Sequence, residues 1–258
     1  MVIRRIREEA IKHNWFSVAV ELAIVMMGVF LGLQANNWNI ARTESAQAQQ
    51  YRAEIVSSLR ANEADMLARA AYYRQVRAHA LAALKVLESS PSRPTKAFLV
   101  DAYLATNTNR RPLERSAYDE MISSGVGRDN VGLQTRSAMA AYYAQIPQFN
   151  DNVLSITGYK ETLRRAMTYP VQQRISNECT DIVRTLPTGV QIVSMAANCD
   201  VELEAKLAAA AIARLKQTTG LDLDLTRQLA DLDQKLLLFN RYARLAHDLR
   251  VKLEAADA

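Results

Sequence analysis

The sequence predicts an all-α protein. It has an N-terminal transmembrane helix, a long helix after it and an extracytoplasmic helical bundle with one irregular, disulfide-closed loop. Three observations lead there. Between Phe16 and Ala35 the only charge is Glu21, in an otherwise apolar run. The 258 residues contain only 8 Gly and 6 Pro, which allows long helices and discourages a many-stranded sheet with its frequent turns. Apolar residues further on recur at steps of three, four and seven, the helical period. With 49% hydrophobic and 23% charged residues, the composition is that of a folded chain.

The elements follow in order. Residues 1–14 form a basic stub, with Arg4, Arg5, Arg7 and Lys12. Residues 15–38 form the span. Twenty helical residues cover about 30 Å, the thickness of a bilayer's hydrocarbon core. Trp15 and Trp38 bracket the run, about 35 Å apart along a helix, so each indole can anchor at one headgroup layer. A cleaved signal peptide and a buried core helix are the rival readings. The run is long for a signal, Glu21 is foreign to one, and a core helix would need a large domain around the N-terminus. Only Arg42 and Arg52 follow the span closely, so the charge bias places the stub in the cytoplasm and residues 39–258 outside it.

Glu21, Gly28 and Gly32 fall within about 20° of one line on a helix. Ala35, Asn36 and Asn39 widen the same stripe. Gly28 and Gly32 form a G-x-x-x-G, which lets two helix backbones approach closely. A small, polar face on an otherwise Leu/Val/Ile/Met span suits protein better than lipid, so the expected partners are membrane lipid and a second copy of the chain. An ionised carboxylate facing lipid would cost several kcal/mol. Glu21 then sits near the inner boundary, against a neighbouring chain or turned towards headgroups.

The stretch NWFSVAVELAIVMMGVFLGLQANNWN, with its exit Leu33, Gln34, Asn36, Trp38 and Asn39, resembles a large, mostly uncharacterised family of bacterial single-span membrane proteins. The similarity continues in SAYDEMISSG (116–125) and in the tyrosine pair of MAAYYAQI, over about the first 150 residues. The resemblance implies a Gram-negative inner-membrane protein. It implies no activity and no catalytic residue.

From Ile40 to Glu88 there is no Pro or Gly, and Leu59, Met66, Tyr73, Ala80 and Leu87 recur every seven residues beside Ile55, Val76 and Leu84. Asn62 and Arg69 interrupt that seam, which argues for a bundle helix rather than an unbroken coiled coil. Pro91 and Pro94 end it. Thr95 caps a helix to about Ala105, NTNRRP is a loop, and Ser116 caps a short helix stopped by Gly125. Asp129 or Asn130 precedes a helix over 131–168, kinked near Pro147. Between Cys179 and Cys199 lies the least helical segment, with one short strand in GVQIVSM. The two cysteines, beyond a span and in an oxidising compartment, are expected to pair, with free thiols or a metal site as rivals. DVELEAKLAAAAIARLK is a helix ending at Thr219-Gly220. A second helix follows, with Leu225, Leu229, Leu232, Leu236, Phe239, Ala243, Ala246 and Leu249 on one stripe.

Chemical motifs are missing: there is no nucleophile elbow, zinc-protease helix, phosphate loop or dinucleotide fingerprint. Asp119 and Glu120 are neighbours that point apart on a helix. His79 and His247 stand alone, and the pairs Tyr72-Tyr73 and Tyr142-Tyr143 read as packing residues with polar tips. No catalytic residue, metal ligand or cofactor is expected. The net charge of +5 is spread without a basic stripe, which argues against nucleic acid. The expected function is an oligomeric scaffold or interaction protein. The alternative is a ligand-binding sensor signalling through a partner protein, and more remotely a subunit of an ion-conducting assembly built around Glu21.

Overall fold

The computed structural model describes residues 15–89, 95–125, 132–186, 191–196 and 199–255, with side chains from Val18 onward. The basic stub, the 90–94 proline segment and the Asp129/Asn130 helix start lie outside the described residues. Two units divide the chain: Met1–Tyr51 with Met121–Val131, and Arg52–Glu120 with Gly132–Ala258. The helices are α1 (Trp15–Ser89), α2 (Lys96–Leu104), α3 (Ser116–Ser124), α4 (Leu133–Ala144), α5 (Ile146–Leu154), α6 (Tyr159–Ala166), α7 (Tyr169–Glu178), α8 (Ala205–Gln217) and α9 (Leu221–Ala255). Strands β1 (Ile182–Thr185) and β2 (Gln191–Ser194) lie between α7 and α8.

In the first unit the span and the residues after it belong to one α-helix, with no break at Asn36–Asn39. Amides and a tryptophan are mediocre helix formers but not breakers. Among the described residues, α1 alone is long and apolar enough to cross a membrane, and none of its most apolar window is buried. Val25, Met26, Phe30 and Leu33 are each 57–62% exposed. A core helix would hide these side chains, so the core reading fails. Gly125 ends α3 at φ 71°, as anticipated. Ser116, however, is the first helical residue rather than a cap.

In the second unit the expected stripe is the core face of α1. Ile55, Leu59, Met66, Tyr73, Val76 and Ala80 are all buried, while Leu84 and Leu87 are half-buried. Asn62 and Arg69 are buried in the same file, at seven-residue intervals from Ile55 and Val76. Helix α9 runs antiparallel to this part of α1. The Arg52 guanidinium donates to the Leu253 carbonyl, Glu63 meets His247 at 3.0 Å and Arg250 at 3.3 Å, and Arg77 meets Asp233 at 2.5 Å. Between them Tyr73 stacks on Phe239, ring centres 5.5 Å apart, and Phe149 meets Phe239 edge-on. The α9 stripe is buried as expected at Leu225, Leu229, Leu232, Phe239, Ala243, Ala246 and Leu249, with Leu236 half-buried. Each such large side chain contributes about 1.5–3 kcal/mol by leaving water.

The single kinked helix expected over 131–168 is three helices, α4, α5 and α6, and an unanticipated α7 follows. Pro147 opens α5 instead of bending a longer helix. It sits in the first turn, where its missing N–H costs nothing. Ile146, Phe149 and Val153 are the buried residues of this helix. Pro170 does the same for α7 after an extended Thr168. The loop between the cysteines holds two strands rather than one. β1 and β2 pair antiparallel, Val183 opposite Val193. A lone strand would have left its backbone groups unbonded. Helix α8 begins only at Ala205, because Val201 is buried outside it and the Glu202 N–H donates to the Glu178 carboxylate at 3.3 Å. Gly220, at φ 78°, makes the turn into α9, and the LDLDL alternation is that helix's first turn.

Candidate functional site

Three places hold the residues of interest. The first is the face of α1 carrying Glu21, Gly28, Gly32, Ala35, Asn36 and Asn39. All six are exposed, and a methyl group built on either glycine meets no atom within 4 Å. Helical spacing keeps them on one side, and no described residue covers it. Trp38 is 67% exposed, with the Arg42 guanidinium 5.7 Å from its ring centre, so a cation lies over the indole. The side chain of Trp15, the other predicted anchor, lies outside those described.

The second is the cysteine loop. The Cα atoms of Cys179 and Cys199 are 5.2 Å apart, inside the range of a disulfide. Cys199 lines a small pocket of about 200 Å³ with His79, Lys96, Asp101 and Asp200. His79 Nδ1 lies 2.8 Å from Asp101 and Lys96 Nζ 2.7 Å from Asp200, so each charged group there already has a partner. Neither histidine is as isolated as its sequence neighbours suggest, since His247 meets Glu63. Among the described residues no three His, Cys, Asp or Glu side chains gather as metal ligands would.

The third place was not legible in the sequence. Asn62, Asp65 and Arg69 form a polar row one helical turn apart on α1 and hold the loop before α3. The Asn62 amide donates to the Glu114 carbonyl (2.8 Å) and accepts from the Glu114 N–H (3.3 Å). Arg69 donates to the Arg111 carbonyl (2.5 Å) and to the Asp65 carboxylate. Arg111 Nη2 donates to the other Asp65 oxygen at 2.6 Å. One carboxylate therefore serves two guanidiniums. Loop and core are pinned further by the Asn109 N–H on the Tyr73 hydroxyl (3.1 Å) and the Leu113 N–H on Asn150 (2.9 Å). An open cleft of about 700 Å³ adjoins this row. The signal that could have found it is the polar side chain at each of two consecutive seam positions, 62 and 69.

Burial pushes the phenols of Tyr142 and Tyr143 well above their ordinary range, and likewise Tyr72, whose hydroxyl donates to Asp181 at 2.8 Å. Burial also raises Asp181, against the opposing pull of that hydrogen bond. The tyrosine pairs are thus neutral packing groups. Tyr118 stacks on Tyr143 with ring centres 4.2 Å apart. Asp119, in the first turn of α3, forms a two-pronged pair with Arg115 just before that helix, a local contact rather than half of an acid/base pair.

No family model, curated protein or solved structure matches this chain. The functional reading therefore rests on the geometry above.

Proposed function

We propose that this chain is a single-pass inner-membrane protein whose cytoplasmic stub, residues 1–14, precedes a span over 15–38. Residues 39–258 then form a periplasmic helical domain that serves as an oligomeric scaffold or interaction module. The observation that carries the reading is the complete exposure of the most apolar stretch of α1. Water is the wrong solvent for an uncovered, predominantly apolar stretch of 18 residues; a bilayer is the right one. The resemblance of the span's exit motif to bacterial single-span proteins supports the same location.

Self-association is assigned to the face of Glu21, Gly28, Gly32, Ala35, Asn36 and Asn39. Between helices in lipid, close backbone approach and polar contacts supply what the hydrophobic effect cannot. Glu21, hydrogen-bonded across such a contact, avoids facing hydrocarbon as an ion. The expected outcome for Gly28→Leu/Gly32→Leu is loss of crosslinking between spans in native membranes, with insertion unchanged. Crosslinking equal to the parent's would remove the association from this face.

A further inference from the structure

We propose that the cleft beside the Asn62–Asp65–Arg69 row binds a zwitterionic α-amino carboxylate, either a free amino acid or one end of a short peptide. This goes beyond the anchoring and association proposed above and does not depend on them. A volume of about 700 Å³ falls in the range of small-molecule sites. Two features of its lining select the ligand's chemistry.

First, Asp65 is the only carboxylate bonded to either Arg69 or Arg111 among the described residues, so one guanidinium charge has no counter-ion. Arg69 is 1% exposed and has both terminal nitrogens engaged, whereas Arg111 is 31% exposed and gives Asp65 a single nitrogen. Its planar fork keeps donors in hand for a second carboxylate. A ligand carboxylate there would turn an arrangement of two cations and one anion into a balanced one. Second, the lining also carries the Glu114 carboxylate among the described residues. A plain anion would leave the Glu114 carboxylate without a cation. A ligand carrying an ammonium beside its carboxylate meets both conditions. Glu114 is exposed and makes no ion pair among the described residues, so it is free to receive the ammonium. The hydroxyls of Ser57 and Ser116 and the Gln191 amide, also in the lining, offer further hydrogen bonds. Among the described residues no aromatic face lines the cleft, which disfavours sugar rings and nucleobases.

The test is isothermal titration calorimetry of the detergent-solubilised full chain with L-alanine, alanyl-alanine, acetate and ethylamine. Saturable binding of at least one zwitterion is expected, about tenfold or more tighter than either single-charge probe. Preference for alanyl-alanine over L-alanine assigns the site to a peptide end, and the reverse to a free amino acid. Arg111→Gln and Glu114→Gln should each weaken that binding about tenfold. Because Arg111 also holds Asp65, Glu114→Gln decides alone if the arginine variant does not fold. No saturable heat for either zwitterion up to about 10 mM overturns the proposal. So does equal binding of acetate or ethylamine, or full affinity in Glu114→Gln.

Discussion

Arg69 is a charged residue in a position that a helix pattern reserves for Leu or Val. It is tolerable because both terminal nitrogens are answered, by Asp65 one turn before and the Arg111 carbonyl beside it, with the face of Phe239 5.9 Å from the guanidinium carbon. Removing one member of such a group strands the others in low dielectric, whereas replacing it by an apolar side chain of similar volume keeps the packing. Arg69→Ala is therefore expected to cost about 3–5 kcal/mol in denaturant unfolding, and Arg69→Met distinctly less. Equal losses in the two variants would show that packing volume plays no part. At this scale the sequence was only half readable. The spacing of Ile55, Leu59, Met66 and Tyr73 announced a buried face, because apolar burial needs no particular partner. Asn62 and Arg69 read as gaps in that face, because what makes them buriable lies some 40 to 50 residues away. The carboxylate partners of His79 and His247 were hidden for the same reason, Glu63 being 184 positions from His247.

Elements made of long, periodic sequence were the legible ones. The buried file of α1 and the stripe of α9 followed from spacing alone, whereas the unbroken run of α1 from Trp15 to Ser89 did not. The segments from 133 to 178 were not legible as separate helices, since each is short and marginal by itself. Pro147 and Pro170 suit the first turn of a new helix as well as the bend of an old one, and the choice falls to tertiary contacts such as the burial of Phe149 and Ile175. The hairpin is the reverse case: one strand was readable in GVQIVSM, and its partner was masked by the polar residues of TDIVRT. The cysteines bracket this hairpin. Two short strands alone are marginal in water, so a covalent closure of the surrounding loop matters more here than it would in the bundle. The double variant Cys179→Ser/Cys199→Ser is expected to lose about 3 kcal/mol of stability. Reductant should lower the melting temperature of the parent towards that of the variant, which itself should not respond. Full alkylation of both thiols in unreduced, unfolded parent protein would show that they are not joined.

For the molecule as a whole, the decisive physical fact is the uncovered apolar length of α1. A chain retained in lipid should stay with the membrane pellet after alkaline carbonate washing and should keep its N-terminal residues. A phosphatase reporter fused after Ala258 should be active, as it is only outside the cytoplasm. Recovery in the soluble fraction, or a mature N-terminus directly after Ala35, would remove both span and association together. A separate consequence follows from the antiparallel pairing of α1 with α9. Arg52 finds its acceptor at Leu253, and Tyr73 its stacking partner at Phe239. During translation, then, the oily file from Ile55 to Ala83 emerges from the ribosome long before residues 232–253 exist to cover it. The growing polypeptide must wait with that file bare, which makes it a client for holding chaperones until synthesis reaches α9.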